Sequence, residues 1–179
     1  MKLGVMCSGN GTNFENIVRS CRYDEVVLMI YNKKECGALL RAAKYGIPHR
    51  YINHKDEDKI INEFKLAGVD LIILAGWMRI VSKRLINAFP NRIINIHPSL
   101  LPKHKGLNVI QRAIDAGDTV TGCTVHYVSE ELDSGDIIIQ GQVPILPDDT
   151  IESLTKAIQR QEYSILPEAI EYVKHKIQT

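Results

Sequence analysis

Leu3-Gly4-Val5-Met6-Cys7-Ser8-Gly9-Asn10-Gly11-Thr12-Asn13 sets an apolar run, a glycine turn and a helix start in direct succession. A near-continuous apolar run suits a strand buried on both faces, as strands of a parallel sheet are. The two close glycines let the backbone turn tightly and leave its N–H groups unobstructed. Thr12, with Glu15 three residues on, reads as a capping box for the helix that follows. A helix opening there would aim N–H groups at an anion. The dinucleotide fingerprint needs a further glycine where Phe14 stands. The Gly-Lys-Ser/Thr of a P-loop is also missing. A single phosphate therefore fits better than a dinucleotide or triphosphate. A plain tight turn before a capped helix remains the alternative for this motif alone.

Working outward, the same alternation repeats. Apolar runs at Leu3–Cys7, Val26–Tyr31, Leu71–Ala75 and Ile93–Ile96 are separated by helical spacing at about Asn13–Cys21, Gly37–Tyr45, Asp56–Ala67 and Ser82–Ala88. Repeated strand–helix order predicts an α/β fold, a doubly wound and mostly parallel sheet with a Rossmann-like N-terminal half. After Pro98 the pattern changes. A polar stretch with Pro102 and Gly106 leads to a helix near Val109–Ala116, strands near Thr121–Val128 and Ile137–Val143, and a helix from about Ile151 to His175. Pro167 should kink or break that last helix. No repeat or linker splits the chain, so a single domain over residues 1–179 is expected, with halves at 1–100 and 101–179.

Composition excludes several classes. The 179 residues are 45% hydrophobic and 24% charged, ordinary for a globular protein with a real core. The formal charge of +1 gives no field for nucleic acid or an anionic membrane, so small-molecule substrates are the expected partners. Cys7, Cys21, Cys36 and Cys123 form no C-x-x-C pair, and no metal site is expected. Reduced thiols, no signal-like segment and no apolar run of about 18 residues give a cytoplasmic expectation.

Asn95-Ile96-His97-Pro98-Ser99-Leu100-Leu101-Pro102 carries the chemistry. Residues two apart on a strand share a face, so Asn95 and His97 project together at a strand's C-terminal end, where open α/β sheets place ligands. Polar groups in an apolar central strand are costly unless satisfied. A satisfied buried histidine beside a turn-forming asparagine is the bland reading. Glu131-Leu132-Asp133-Ser134-Gly135-Asp136 falls between two predicted strands. A carboxylate from it would orient the His97 ring, and Asn95 would add a donor for a developing oxyanion. The three suit attack by an amine on a carbonyl carbon.

These motifs resemble the folate-dependent formyltransferases, and nearly end to end the glycinamide ribonucleotide branch. Ser8–Asn13 is similar to that branch's phosphate turn, Ala75-Gly76-Trp77-Met78-Arg79-Ile80 to its folate-lining segment, Asn95–Pro102 to its catalytic strand and exit, and Leu132–Gly135 to its catalytic loop. The resemblance implies transfer of the formyl group of 10-formyltetrahydrofolate to the amine of glycinamide ribonucleotide, in purine synthesis, without a metal. It implies catalytic roles for Asn95, His97 and Asp133. Gly11, Thr12, Asn13, Gln159 and Glu162 would hold the substrate, and Trp77, Met78, Arg79, Ile80, Val81, Val128 and Asp133 would contact folate. His126 and Thr124 share a face near that site. A monomer or homodimer, and a cis Leu101–Pro102 bond, are also implied.

There are departures. Many relatives have Pro-Gly where this chain has Lys105-Gly106, and some have histidine in place of Asn108. The stretch Asn53–Gly68 is shorter than in long members, which often carry a phosphate-binding arginine there. Lys55 or Lys59 would substitute, or simply face solvent. A sister enzyme acting on a nucleotide-linked amino sugar would keep the catalytic three without needing the phosphate turn. Methionyl-tRNA formyltransferase would add a tRNA domain, and a formyltetrahydrofolate hydrolase a regulatory one. A non-catalytic folate binder would need the pocket alone.

Overall fold

A computed structural model describes residues 1–179 and divides them into two compact units, Met1–Asn95 and Ile96–Thr179. The first contains β1 (Lys2–Cys7), α1 (Thr12–Ser20), β2 (Glu25–Tyr31), α2 (Gly37–Lys44), β3 (His49–Tyr51), α3 (Glu57–Leu66), β4 (Leu71–Leu74), α4 (Lys83–Ala88) and most of β5 (Ile93–His97). The second contains α5 (Val109–Asp115), β6 (Val120–Tyr127), β7 (Ile137–Pro144) and α6 (Ile151–Gln178). Strand order in the seven-stranded sheet is β3-β2-β1-β4-β5-β6-β7. The β1–β2, β1–β4, β2–β3 and β4–β5 pairs are parallel, and β6–β7 is antiparallel. This is the mostly parallel α/β sheet that the strand–helix alternation predicts.

The burial of β1 explains its composition. It is flanked on both edges, by β2 and β4, and Leu3, Val5, Met6 and Cys7 are all fully buried. A strand with no solvent face has no reason to alternate. Gly4 serves packing: a Cβ there would lie 2.6 Å from the Phe64 ring, so only glycine lets α3 sit this close. From β1 the chain winds outward through β2 and β3, then returns to β4 on the other side. In open α/β sheets, ligands bind outside the C-terminal ends of the strands that flank such a reversal, here β1 and β4.

Two expectations need correction, and one strand was not anticipated. The capping box at Thr12 is absent: Gly11 is the N-cap, in the left-handed region at φ 76°, and no side chain caps the helix. A Cβ at Gly11 would stand 2.7 Å from Ala38 Cα, so the chain enters α1 through a position only glycine tolerates. Glu15 turns outward to α2 instead, where Arg41 and Lys44 pair with it and the Tyr45 hydroxyl donates at 2.7 Å. Pro167 does not break the final helix, which runs unbroken from Ile151 to Gln178. A proline inside a helix forfeits one hydrogen bond, at about 3 kcal/mol. Here Leu154, Ile158, Ile165, Leu166, Ala169, Ile170 and Val173 form a buried stripe that offsets the loss. The unanticipated strand is β3, a three-residue edge strand too short to leave a periodic signal. The other segments agree with the sequence reading to within a few residues at their ends.

In the second unit, β6 and β7 approach so closely at Gly122 that an added Cβ would stand 1.8 Å from the Gly141 carbonyl oxygen. Gly122→Ala is expected to destabilise the protein by about 3 kcal/mol or more, because backbone cannot yield as a side-chain tip can. An unchanged urea midpoint for this variant would contradict that packing.

Candidate active site

In the first unit, one buried hydroxyl ties the glycine turn to its surroundings. Ser8 Oγ donates to Asn32 Oδ1 at 2.7 Å beyond β2 and accepts from the Met78 backbone N–H at 2.9 Å beyond β4. The Ser8 N–H reaches Gly76 O at 2.9 Å. Arg41 of α2 donates from Nε to Asn10 O at 2.8 Å and pairs with Glu15, bracing the turn from behind. Gly11 is buried, and Thr12 and Asn13 are half-buried in the first turn of α1. The expected folate-lining segment splits. Trp77 and Val81 are buried, whereas Met78, Arg79 and Ile80 face solvent, Ile80 at 70% exposure. Lys55 and Lys59 are exposed.

Asn95 and His97 sit two apart at the end of β5, Asn95 half-buried in register with Leu74 of β4 and His97 buried. Whether Asp133 meets His97 could not be read from spacing. It does: Asp133 Oδ2 lies 3.6 Å from His97 Nδ1, with both side chains more than nine-tenths buried. His97 Nε2 is 2.9 Å from the carbonyl of His104. A carbonyl only accepts, so Nε2 carries the hydrogen and Nδ1 is the nitrogen turned to the carboxylate. Asp133 adopts a left-handed backbone, φ 50°, and its Oδ2 also accepts the Gly106 N–H at 2.9 Å. The loop returns against β6 so tightly that a Cβ on Gly135 would stand 1.7 Å from Tyr127 O.

His126 completes the cluster. Its Nδ1 donates to Tyr127 O at 2.8 Å, and Nε2 lies 3.8 Å from Asp133 Oδ1. Burial holds its pKa below the ordinary histidine value; the bond to Tyr127 and the Asp133 charge oppose that, and His97 adds to it. One carboxylate thus lies between two imidazoles presenting different nitrogens.

Sequence reasoning gave no role to the groups that hold the exit of β5. Ser99, fully buried, donates to Lys103 O at 2.7 Å and to His104 O at 3.2 Å. Thr124, also fully buried, donates to Ser99 O at 2.7 Å and accepts from the Leu101 N–H at 3.1 Å and from Gln140 at 3.0 Å. Leu101–Pro102 is cis. The signal available was a run of polar residues, Thr121, Thr124 and His126, inside one strand. On α6, Gln159 is half-buried and Glu162 buried, three apart and so on one face. Burial pushes the Cys123 thiol up to about 12, and the Glu162 carboxylate adds to the effect. Val128 is half-buried just past β6. No group of three or more His, Cys, Asp or Glu is placed to hold a metal ion, and no helix is long and apolar enough to cross a membrane.

An imidazole steered by a carboxylate, on a strand that also bears an amide, is equipped to polarise a carbonyl and move a proton. Residues 1–170 match the formyl transferase family model, and the chain belongs to that family. Its relatives point to one branch. The chain is 41% identical to the phosphoribosylglycinamide formyltransferase of Haemophilus influenzae, over 96% of this chain and 86% of that one. It is 44% identical to the trifunctional purine biosynthetic protein adenosine-3 of Drosophila pseudoobscura pseudoobscura, over 94% of this chain but only 13% of that one. The chain therefore spans about an eighth of that multifunctional relative. The solved phosphoribosylglycinamide formyltransferase of Anaplasma phagocytophilum superposes with a TM-score of 0.94 at 39% identity, covering 98% and 88% of the two chains.

The lowered pKa of His126 has a consequence for stability. The unfolded chain takes up a proton at the ordinary value, near 6.5, while the folded chain resists it. The neutral ring is favoured in the fold, so stability rises with pH up to about 6.5 and is lost as pH falls below it. His126→Gln is expected to flatten that acid limb in urea melts between about pH 5 and 7. An unchanged slope would remove His126 as its source.

Proposed function

We propose that this chain transfers the formyl group of 10-formyltetrahydrofolate to the primary amine of glycinamide ribonucleotide, a step of purine synthesis. The observation that carries the reading is the contact of Asp133 with His97 at 3.6 Å, on a strand that also bears Asn95. The amine nitrogen attacks the formyl carbon, a C–N bond forms, and the carbonyl electrons move to oxygen. The Asn95 amide donates to that oxyanion, where preorganised donors are worth most, and the His97 ring joins it when its Nε2–H is released from the His104 carbonyl. The bond to the folate nitrogen then breaks, and the proton lost by the amine ends on that nitrogen. Asp133 orients the His97 ring and accepts a proton in transit. His126 presents a second ring nitrogen to Asp133.

Gly11, Thr12 and Asn13 hold the substrate phosphate, supported by the open turn and the N-terminus of α1. Gln159 and Glu162 contact the sugar and glycinamide parts. Trp77, Val81 and Val128 supply apolar wall to the pterin, with Met78, Arg79 and Ile80 at its solvent edge, and their exposures fit that division. Donors and hydrophobes fit an uncharged pterin and a formyl group, and the chemistry needs no metal. Residues 1–179 act as one catalytic domain, as a monomer or homodimer in the cytoplasm.

A panel of amines tests the reading: glycinamide ribonucleotide, a nucleotide-linked amino sugar, and water alone, each with 10-formyltetrahydrofolate. Turnover of the first only is expected. Turnover of the amino sugar, hydrolysis, or folate binding without transfer would each replace the reading with another. His97→Ala should cost on the order of 100- to 1000-fold in kcat while folate binding survives. Gly11→Val should raise the KM for glycinamide ribonucleotide far more than the KM for folate, since a Cβ at Gly11 collides with Ala38 and displaces the turn.

A further inference from the structure

The stretch from Lys103 to Leu107 touches both members of the catalytic pair. His104 O accepts from His97 Nε2 at 2.9 Å, and the Gly106 N–H donates to Asp133 Oδ2 at 2.9 Å. Between them stands Lys105, half-buried, its ammonium turned to Ser134 Oγ at 2.5 Å rather than to water. Ser134 Oγ in turn donates to Leu132 O at 2.9 Å, so the lysine holds a hydroxyl already folded into the catalytic loop.

The outer side of this stretch is fixed as well. Arg112 of α5 donates to Lys105 O at 2.5 Å and to Leu107 O at 3.3 Å. Lys103 Nζ and His104 Nε2 meet Asp118 at 3.1 and 2.7 Å. Gly106, at φ 84°, turns the backbone so that its N–H faces the carboxylate. Asp133 holds a left-handed backbone, uncommon for a residue with a Cβ although aspartate tolerates it better than most. Lys105 and Gly106 grip adjacent residues of its loop.

We propose that Lys105 is a positioning residue: through Ser134 it latches the loop that keeps the Asp133 carboxylate against His97. The inference rests on the reading of His97 and Asp133 as the catalytic pair. An ammonium engaged by a loop hydroxyl acts on geometry, not on substrate charge. Its loss lowers turnover and leaves substrate affinity alone.

Four variants decide it: Lys105→Met, Lys105→Arg, Ser134→Ala and the double Lys105→Met/Ser134→Ala. Steady-state kinetics with glycinamide ribonucleotide and 10-formyltetrahydrofolate are read beside hydrogen exchange of the Gly106 amide. Lys105→Met should lower kcat about 10-fold with both KM values within about 2-fold. Ser134→Ala should do the same, and the double variant should be no worse than either single one. Lys105→Arg should recover to within about 3-fold of the parent, and the Gly106 amide should exchange about 10-fold faster in Lys105→Met. A double variant as poor as the product of the two losses would overturn the latch. So would a rise in the KM for the phosphorylated amine at constant kcat, or a drop in Tm with kcat intact. An unmodified chain that turns over no glycinamide ribonucleotide refutes the functional reading instead, and Gly106 exchange still decides the latch.

Discussion

A single buried carboxylate organises the polar cluster of the second unit. Asp133 is more than nine-tenths buried, and its oxygens face His97, His126 and the Gly106 N–H. A carboxylate out of water needs partners, and here each partner is itself fixed by the backbone. His97 is pinned through His104 O, His126 through Tyr127 O, and Gly106 by its own left-handed turn. The Gly106 N–H donates to the charge, and the bonds from the rings to backbone carbonyls decide which nitrogen each ring presents to it.

The first unit solves a different problem with similar means. A parallel sheet buries its strands on both faces, so function concentrates at the strand ends. There Ser8, fully hydrogen-bonded and 1% exposed, links the ends of β1, β2 and β4. Arg41 and Glu15 lock α1 to α2 behind the turn. The glycine turn is thus held by neighbours on several elements, and no side chain caps α1.

The chain belongs to the formyl transferase family. Lys105, just before Gly106, adds a donor beside the Asp133 loop, and that donor goes to Ser134.

Much of this molecule was readable in one dimension. Apolar runs of four to eight residues, spaced by helical segments, determined a parallel α/β sheet, because burial on both faces removes polar residues from a strand wherever it occurs. Asn95 and His97 shared a face by strand period alone, and the glycines of the first turn announced a tight, open backbone. Tertiary structure decided the rest. Asp133 reached His97 because Gly135 and the left-handed backbone at Asp133 turn its loop back onto β6, a path set by packing. Glu15 left its expected cap for Arg41, and Pro167 stayed helical, because neighbours distant along the chain outweighed local preference. Period and propensity act between near residues; contacts between distant ones depend on the folded path.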